Sequence, residues 1–153
     1  MLYCQNLWMV KQPFQFKKNM SRIIALKGRG NSGKTTTINL LPNILLANGY
    51  SRVPGMFQQH GSDFLDVFEN GVQRVGVTSS GDTFDLVHDR LTDLVNAKCD
   101  VCVCACRTSG GTHTAIYNFT GYTSHFEQKT YAATPVQEPV VNAADANTLF
   151  LLI

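Results

Sequence analysis

The sequence predicts an α/β domain with a mostly parallel central sheet, one β-hairpin within that sheet and helices on both faces. Three observations support this fold class. Short apolar runs alternate with segments of helical periodicity, as in layered α/β domains. A glycine-rich loop joins the first apolar run to a helical segment. The pair Asn70-Gly71 is typical of a tight turn between two antiparallel strands, which makes the predicted sheet mixed.

Composition indicates a compact globule. The chain has 153 residues, of which 44% are hydrophobic and 16% are charged, so a disordered or strongly basic chain is not expected. A formal net charge of +2 gives no clear signal for nucleic-acid binding. No apolar run approaches the roughly 18 residues that a membrane-spanning helix needs, so no membrane partner is expected.

Residues 20–153 are predicted to form one domain, and residues 1–19 are interpreted as an N-terminal extension. The extension mixes apolar residues with Lys11, Lys17 and Lys18, in an order that does not fit a secretory signal. The alternative is an arm that docks on a protein partner through Trp8, Phe14 and Phe16.

The first half of the domain begins with a buried strand over residues 22–27, because Ile23-Ile24-Ala25-Leu26 is a continuous apolar run. A helix is predicted over 33–47, with Pro42 kinking it or ending its first half. Residues 50–62 are predicted to be a mobile polar loop. Strands over 63–69 and 72–78 then form the hairpin.

The second half begins with an amphipathic helix over 82–98, for which Asp82 is the expected N-cap. A strand buried on both faces follows at 100–106, and a polar loop at 107–113 leads into a helix at 112–119. A strand at 126–132 and a linker at 135–139 precede a terminal helix at 142–152, capped by Asn142.

The five cysteines are not a disulfide framework, because their number is odd and four of them are clustered at 99–106. They indicate a reducing, cytoplasmic environment. Cys99 and Cys102 match C-x-x-C, but a structural zinc site needs a second ligand pair, so a buried strand is the favoured interpretation. His60 and His113 are predicted to lie in loops that face the functional site.

Residues 28–35, GRGNSGKT, fit the pattern G-x-x-x-x-G-K-[ST] between a predicted strand and a helix. Glycines let main-chain N–H groups approach an anion, the lysine supplies a mobile positive charge, and the threonine hydroxyl suits Mg²⁺. Here the sequence resembles the P-loop NTPase superfamily. The resemblance implies a site for ATP or GTP with Mg²⁺, formed by Gly28, Arg29, Gly30, Asn31, Ser32, Gly33, Lys34, Thr35 and Thr36.

The resemblance also implies an acidic residue that holds Mg²⁺ at the end of a second strand. Residues 78–81, TSSG, have the shape of the Asp-x-x-Gly motif of Ras-like GTPases, with threonine in the aspartate position. Asp82 is the nearest acid, and it either joins Thr35 in the metal shell or only caps the helix. Asp63 and Asp66 are interpreted as solvent-facing positions on an edge strand, with metal or water positioning as the alternative.

Arg107 follows the strand at 100–106, where it would neutralise charge at the γ-phosphate or bind a phosphorylated acceptor. Its alternative is a structural pair with a carboxylate. Lys34, Asp82 and Arg107 are therefore the candidate catalytic residues. The guanine-specificity motif Asn-Lys-x-Asp is absent, so ATP is the default nucleotide.

Three functions remain open from the sequence. The first is a nucleoside triphosphate-binding protein with slow, Mg²⁺-dependent hydrolysis, in which triphosphate orders residues 50–62. The second is a kinase acting on a nucleotide or other small molecule, although no arginine-rich lid is apparent. The third is a non-catalytic nucleotide-binding module that contacts a protein partner.

Overall fold

The computed structural model describes residues 20–153, which form a seven-stranded mixed sheet between two layers of helices. The interpretations of residues 1–19 lie outside the described part of the chain. The elements are β1 (Arg22–Lys27), α1 (Lys34–Asn39), α2 (Leu41–Ala47), β2 (Ser51–Arg52), β3 (Gln58–His60), β4 (Asp63–Glu69), β5 (Arg74–Thr78), α3 (Phe84–Asn96), β6 (Val101–Cys106), α4 (Gly111–Tyr117), β7 (Thr123–Gln128), a 3₁₀ turn (Pro135–Gln137) and α5 (Glu138–Leu152).

The sheet has the strand order β2-β4-β5-β6-β1-β7, with β3 also paired to β4. Strands β5, β6, β1 and β7 are parallel, whereas β4 is antiparallel to β5, β2 and β3. The four parallel strands therefore end at one edge of the sheet, where the residues after β1 begin a glycine loop (residues 28–35). Because β4 runs the opposite way, its first residue, Asp63, lies at that same edge.

The two faces of the sheet bury separate apolar cores. On one face, Ile38 of α1, Leu45 of α2 and Leu149 of α5 pack with Ile24 and Leu26 of β1. On the other face, α3 and α4 pack against the alternate residues of the same strands through side chains that include Val87, Leu91, Leu94, Ala115 and Ile116. This arrangement follows from the alternation of side chains along a strand and confirms helices on both faces.

Several predicted elements are confirmed. The hairpin of β4 and β5 is antiparallel, and Asn70 Oδ1 accepts hydrogen bonds from the N–H groups of Val72 and Gln73 at 2.9 Å. The first helix is divided, with Leu40 between α1 and α2 and Pro42 in the first turn of α2. All six residues of β6 are buried.

Other predictions are wrong because long-range contacts decide them. Residues 50–62 are not one mobile loop, since β2 and β3 both pair with β4. The last strand begins at Thr123 rather than at 126, in register with β1. Residues 135–139 are not a linker: they contain the 3₁₀ turn and the start of α5. Asn142 lies inside α5, because proline is tolerated in a first helical turn and Pro139 allows the earlier start.

Across residues 20–153, the helices are too short or too polar for any of them to traverse a bilayer.

The N-cap of α3 is Thr83, not Asp82. Thr83 has extended backbone angles (φ −134°, ψ 160°), and its side chain accepts a hydrogen bond from the N–H of Leu86 at 3.2 Å. We expect Thr83→Ala to lower the free energy of unfolding by about 1 kcal/mol, since it removes this cap. Urea denaturation of Asp82→Ala is the matched comparison, and a larger loss from Asp82→Ala would contradict the assignment.

Candidate functional site

A cleft of about 850 Å³ lies at the sheet edge where the parallel strands end. The glycine loop and the start of α1 line one side of it. Asp63, Ser79 and Asp82 line a second side, and residues from the chain after β7 line a third. The latter include Tyr131, Pro135, Glu138 and Asn142. Ligands of open α/β sheets bind at this end of the strands, so the cleft is the candidate site.

The glycine loop has a backbone that requires glycine at two points. Gly33, the N-cap of α1, has φ 90°, and a Cβ there would lie 2.9 Å from Oδ1 of Asn142. A Cβ at Gly30 would lie 2.5 Å from Nη1 of Arg107. Asn31 is also left-handed, with φ 57°. Left-handed residues in such a loop are typical of the main-chain concavities that bind anions.

Lys34 is the buried cation of the loop. Its side-chain ammonium donates to the carbonyl oxygens of Gly28 at 2.8 Å and Arg29 at 2.6 Å, and only 7% of the residue is exposed. Burial lowers the pKa of Lys34, and the Arg107 guanidinium lowers this pKa further. Both effects disfavour the charged form of Lys34. An anion in the cleft would stabilise that charged form.

Asp63 lies beside Thr35 of the glycine loop. Its Oδ1 is 3.4 Å from Thr35 Oγ1 and accepts a hydrogen bond from Ser79 Oγ at 3.0 Å. The interpretation of Asp63 and Asp66 as solvent-facing edge positions is wrong, because β4 has paired strands on both sides. The side chain of Asp66 is 2% exposed and forms a 2.6 Å ion pair with Arg52.

Asp82, which lines the cleft, forms an ion pair with Arg107, whose guanidinium lies beside Gly30 of the glycine loop. Nη2 of Arg107 is 3.3 Å from Oδ1 of Asp82, and both side chains are substantially exposed. The backbone N–H of Arg107 donates to Thr112 Oγ1 at 3.0 Å, which fixes the start of the loop after β6. The structure thus brings Lys34, Asp82 and Arg107 to one end of the sheet, where both charged partners act on the pKa of Lys34.

The chain after β7 supports the glycine loop in a way that the sequence did not indicate. Tyr131 accepts a hydrogen bond from the N–H of Arg29 at 3.1 Å, and this bond lowers the pKa of Tyr131. The Arg29 guanidinium lies 4.3 Å from the centroid of the Tyr131 ring.

Lys129 is 1% exposed and pairs with Asp145 of α5 at 3.0 Å. No local pattern marks a lysine after a strand as a buried one.

The four cysteines and four histidines within residues 20–153 are not among the residues that line the cleft. Burial raises the pKa of Cys106 to about 12 and those of Cys102 and Cys104 well above the usual value, so these thiols stay protonated. Within residues 20–153, no three histidine, cysteine or acidic side chains are grouped to hold a metal ion. His113 lies in α4 and stacks on Phe126, and His60 lies in β3, so their predicted place in loops facing the site is wrong.

The site therefore combines basic side chains, carboxylates and a hydroxyl-bearing glycine loop at one edge of the sheet. Comparison of the chain with protein-family models, with curated proteins and with solved structures found no match.

Proposed function

We propose that this chain binds a nucleoside triphosphate together with Mg²⁺ in the cleft and hydrolyses it slowly. The observation that carries the proposal is the buried ammonium of Lys34, held within the glycine loop and close enough to Arg107 for the guanidinium to lower its pKa. Two cations that disfavour each other beside the glycine loop are stabilised by an anion with several negative charges. A triphosphate supplies such an anion.

Each cation has a separate role in the proposal. Lys34 exchanges its bonds to the carbonyls of Gly28 and Arg29 for bonds to phosphate oxygens. Arg107 is held beside the glycine loop by its ion pair with Asp82. From there it neutralises charge that develops on the terminal phosphate, which is the kind of fixed electrostatic stabilisation that accelerates phosphoryl transfer.

The residues present also fit Mg²⁺. This ion prefers oxygen ligands and is usually bound through one or two carboxylates plus substrate phosphates. Thr35 offers a hydroxyl to the cleft, and Asp63 and Asp82 line it. When bound, Mg²⁺ would neutralise charge on the phosphate oxygens.

ATP is the proposed nucleotide, with GTP as the alternative. The guanine-specificity motif is absent from the sequence. The third side of the cleft carries largely apolar side chains, including Ala132, Pro135 and Pro139, that suit the face of a base. An ordering switch in residues 50–62 is not part of the proposal, because β2 and β3 are already paired with β4.

A small-molecule kinase is the second candidate, and one observation favours it. A smaller pocket of about 260 Å³ adjoins the cleft and shares Ser62 with it. Its lining includes Arg52, Phe57 and Asp66, a mixture of charge and apolar surface that suits a polar acceptor.

Calorimetric titration of ATP and of GTP, each with Mg²⁺, into the full chain tests the proposal, with phosphate release followed on the same sample. We expect ATP to bind and phosphate to appear slowly. Binding without release would favour the kinase or the non-catalytic module, and a screen of phosphate acceptors would separate those two. Absence of binding by either nucleotide would contradict the proposed function.

A further inference from the structure

We propose that Asp63, carried on the antiparallel strand β4, is the carboxylate of the metal shell, and that Ser79 is the residue that positions it. The inference rests on the proposed function, because the metal would arrive with the triphosphate. It replaces Asp82, which the sequence paired with Thr35, as the acidic partner of the metal.

The end of β5 supplies no acid of its own. Thr78, Ser79 and Ser80 are each at most 2% exposed, and none of them carries a charge. Strand β4 runs antiparallel to β5, with Leu65 opposite Thr78. The chain entering β4 therefore passes the end of β5, and Asp63 reaches the edge of the sheet from the neighbouring strand.

Asp63 and Thr35 have the spacing expected of two ligands of one small cation. Oxygen ligands lie about 2.1 Å from Mg²⁺ in an octahedral shell, so neighbouring ligands stand about 3 Å apart. The oxygens Thr35 Oγ1 and Asp63 Oδ1 are 3.4 Å apart, which is longer than an ordinary hydrogen bond between oxygens. A small inward movement of either side chain would place both on one ion.

Ser79 fixes the direction of the Asp63 carboxylate. Its hydroxyl oxygen accepts a hydrogen bond from the N–H of Phe64 at 3.1 Å, so its own hydrogen is free to point at Asp63 Oδ1, 3.0 Å away. The N–H of Ser79 also donates to the carbonyl of Phe64 at 3.2 Å. The serine is thus tied to both strands and holds the carboxylate beside Thr35.

Asp82 is placed differently. Its side chain is 61% exposed, and its carboxylate contacts the Arg107 guanidinium. This pair suits a role in holding Arg107, whereas Asp63 is the acid that contacts the threonine of the glycine loop.

The test compares Asp63→Asn with Asp82→Asn and with Asp89→Asn, an exposed position on α3 that receives the same chemical change. Calorimetry gives the dissociation constant of ATP with Mg²⁺ and with EDTA, and Mn²⁺ binding in the presence of ATP is followed by electron paramagnetic resonance. We expect Asp63→Asn to bind ATP in EDTA as tightly as the parent chain does. Its affinity for Mn²⁺ in the presence of ATP should fall about 10- to 100-fold. Asp89→Asn should behave as the parent.

Ser79→Ala keeps the proposal testable if Asp63→Asn does not fold. It should weaken Mn²⁺ binding by about tenfold. Ser79→Thr should restore that binding, because threonine keeps the hydroxyl that donates to Asp63. If Asp82→Asn weakens Mn²⁺ binding and Asp63→Asn does not, the inference is overturned and the proposed function stands. Failure of the parent chain to bind ATP under either condition would overturn both.

Discussion

Replacing Lys34 with alanine should weaken ATP binding by about 30-fold or more, measured by calorimetry in the presence of Mg²⁺. Removal of one partner from a buried, hydrogen-bonded charge contact costs roughly 2 to 5 kcal/mol, and each 1.4 kcal/mol corresponds to a tenfold change in affinity. Lys34 is the most deeply buried cation of the glycine loop, and its ammonium contacts the carbonyl oxygens of Gly28 and Arg29 within that loop.

The control for this variant is Lys98→Ala, which removes an exposed lysine after α3 and should leave ATP affinity unchanged. Circular dichroism and thermal unfolding establish that Lys34→Ala retains its fold. Unchanged ATP affinity in a folded Lys34→Ala protein would rule out the glycine loop as the phosphate site.

The largest effect on stability is expected from Lys129→Met, which should lower the free energy of unfolding by about 3 kcal/mol. The side chain of Lys129 has no exposed surface and that of Asp145 is 11% exposed, so the variant leaves a carboxylate buried without its cation. Asp145 also accepts hydrogen bonds from the N–H and hydroxyl of Thr130, at 2.7 and 2.8 Å, which keep it in place when the lysine is gone. Urea unfolding measures the change.

Removing the charge of Asp145 separates the cost of the unpaired carboxylate from the loss of lysine packing. We expect Lys129→Met with Asp145→Asn to recover part of the lost stability, because the amide oxygen still accepts from Thr130 but carries no charge. Lys98→Met is the surface control. If Lys129→Met has the same free energy of unfolding as the parent chain, the ion pair does not stabilise the fold.

The same pair links stability to the candidate site. A Cβ at Gly28 would lie 3.1 Å from the Cβ of Lys129, so the buried lysine backs the first residue of the glycine loop. Asn142 of α5 packs on Gly33 at the other end of the loop. The segment after β7 and the terminal helix therefore hold the loop in shape from behind.

Elements with a strong local signal were predictable from the sequence. The apolar run of β1, the alternating small apolar residues of β6 and the Asn70-Gly71 turn each specify their backbone through neighbours a few residues away. The same holds for the apolar face of α3, where Val87, Leu91 and Leu94 recur at helical spacing and are all buried. The residue types at 28–35 likewise predict a glycine-rich loop between a strand and a helix, which is where the loop between β1 and α1 lies.

What only the tertiary structure decided is the set of partners that these residues have. Asp63 was expected to face solvent, yet the antiparallel course of β4 brings it to Thr35. Asp82 was expected to cap a helix, yet Thr83 takes that position and leaves Asp82 to pair with Arg107. Asn142 was expected to cap the last helix, yet it lies inside that helix and packs on Gly33, while Asp145 of the same helix pairs with Lys129. Each of these contacts joins residues on different strands or helices, so the order of strands in the sheet determines them, and local spacing along the chain does not.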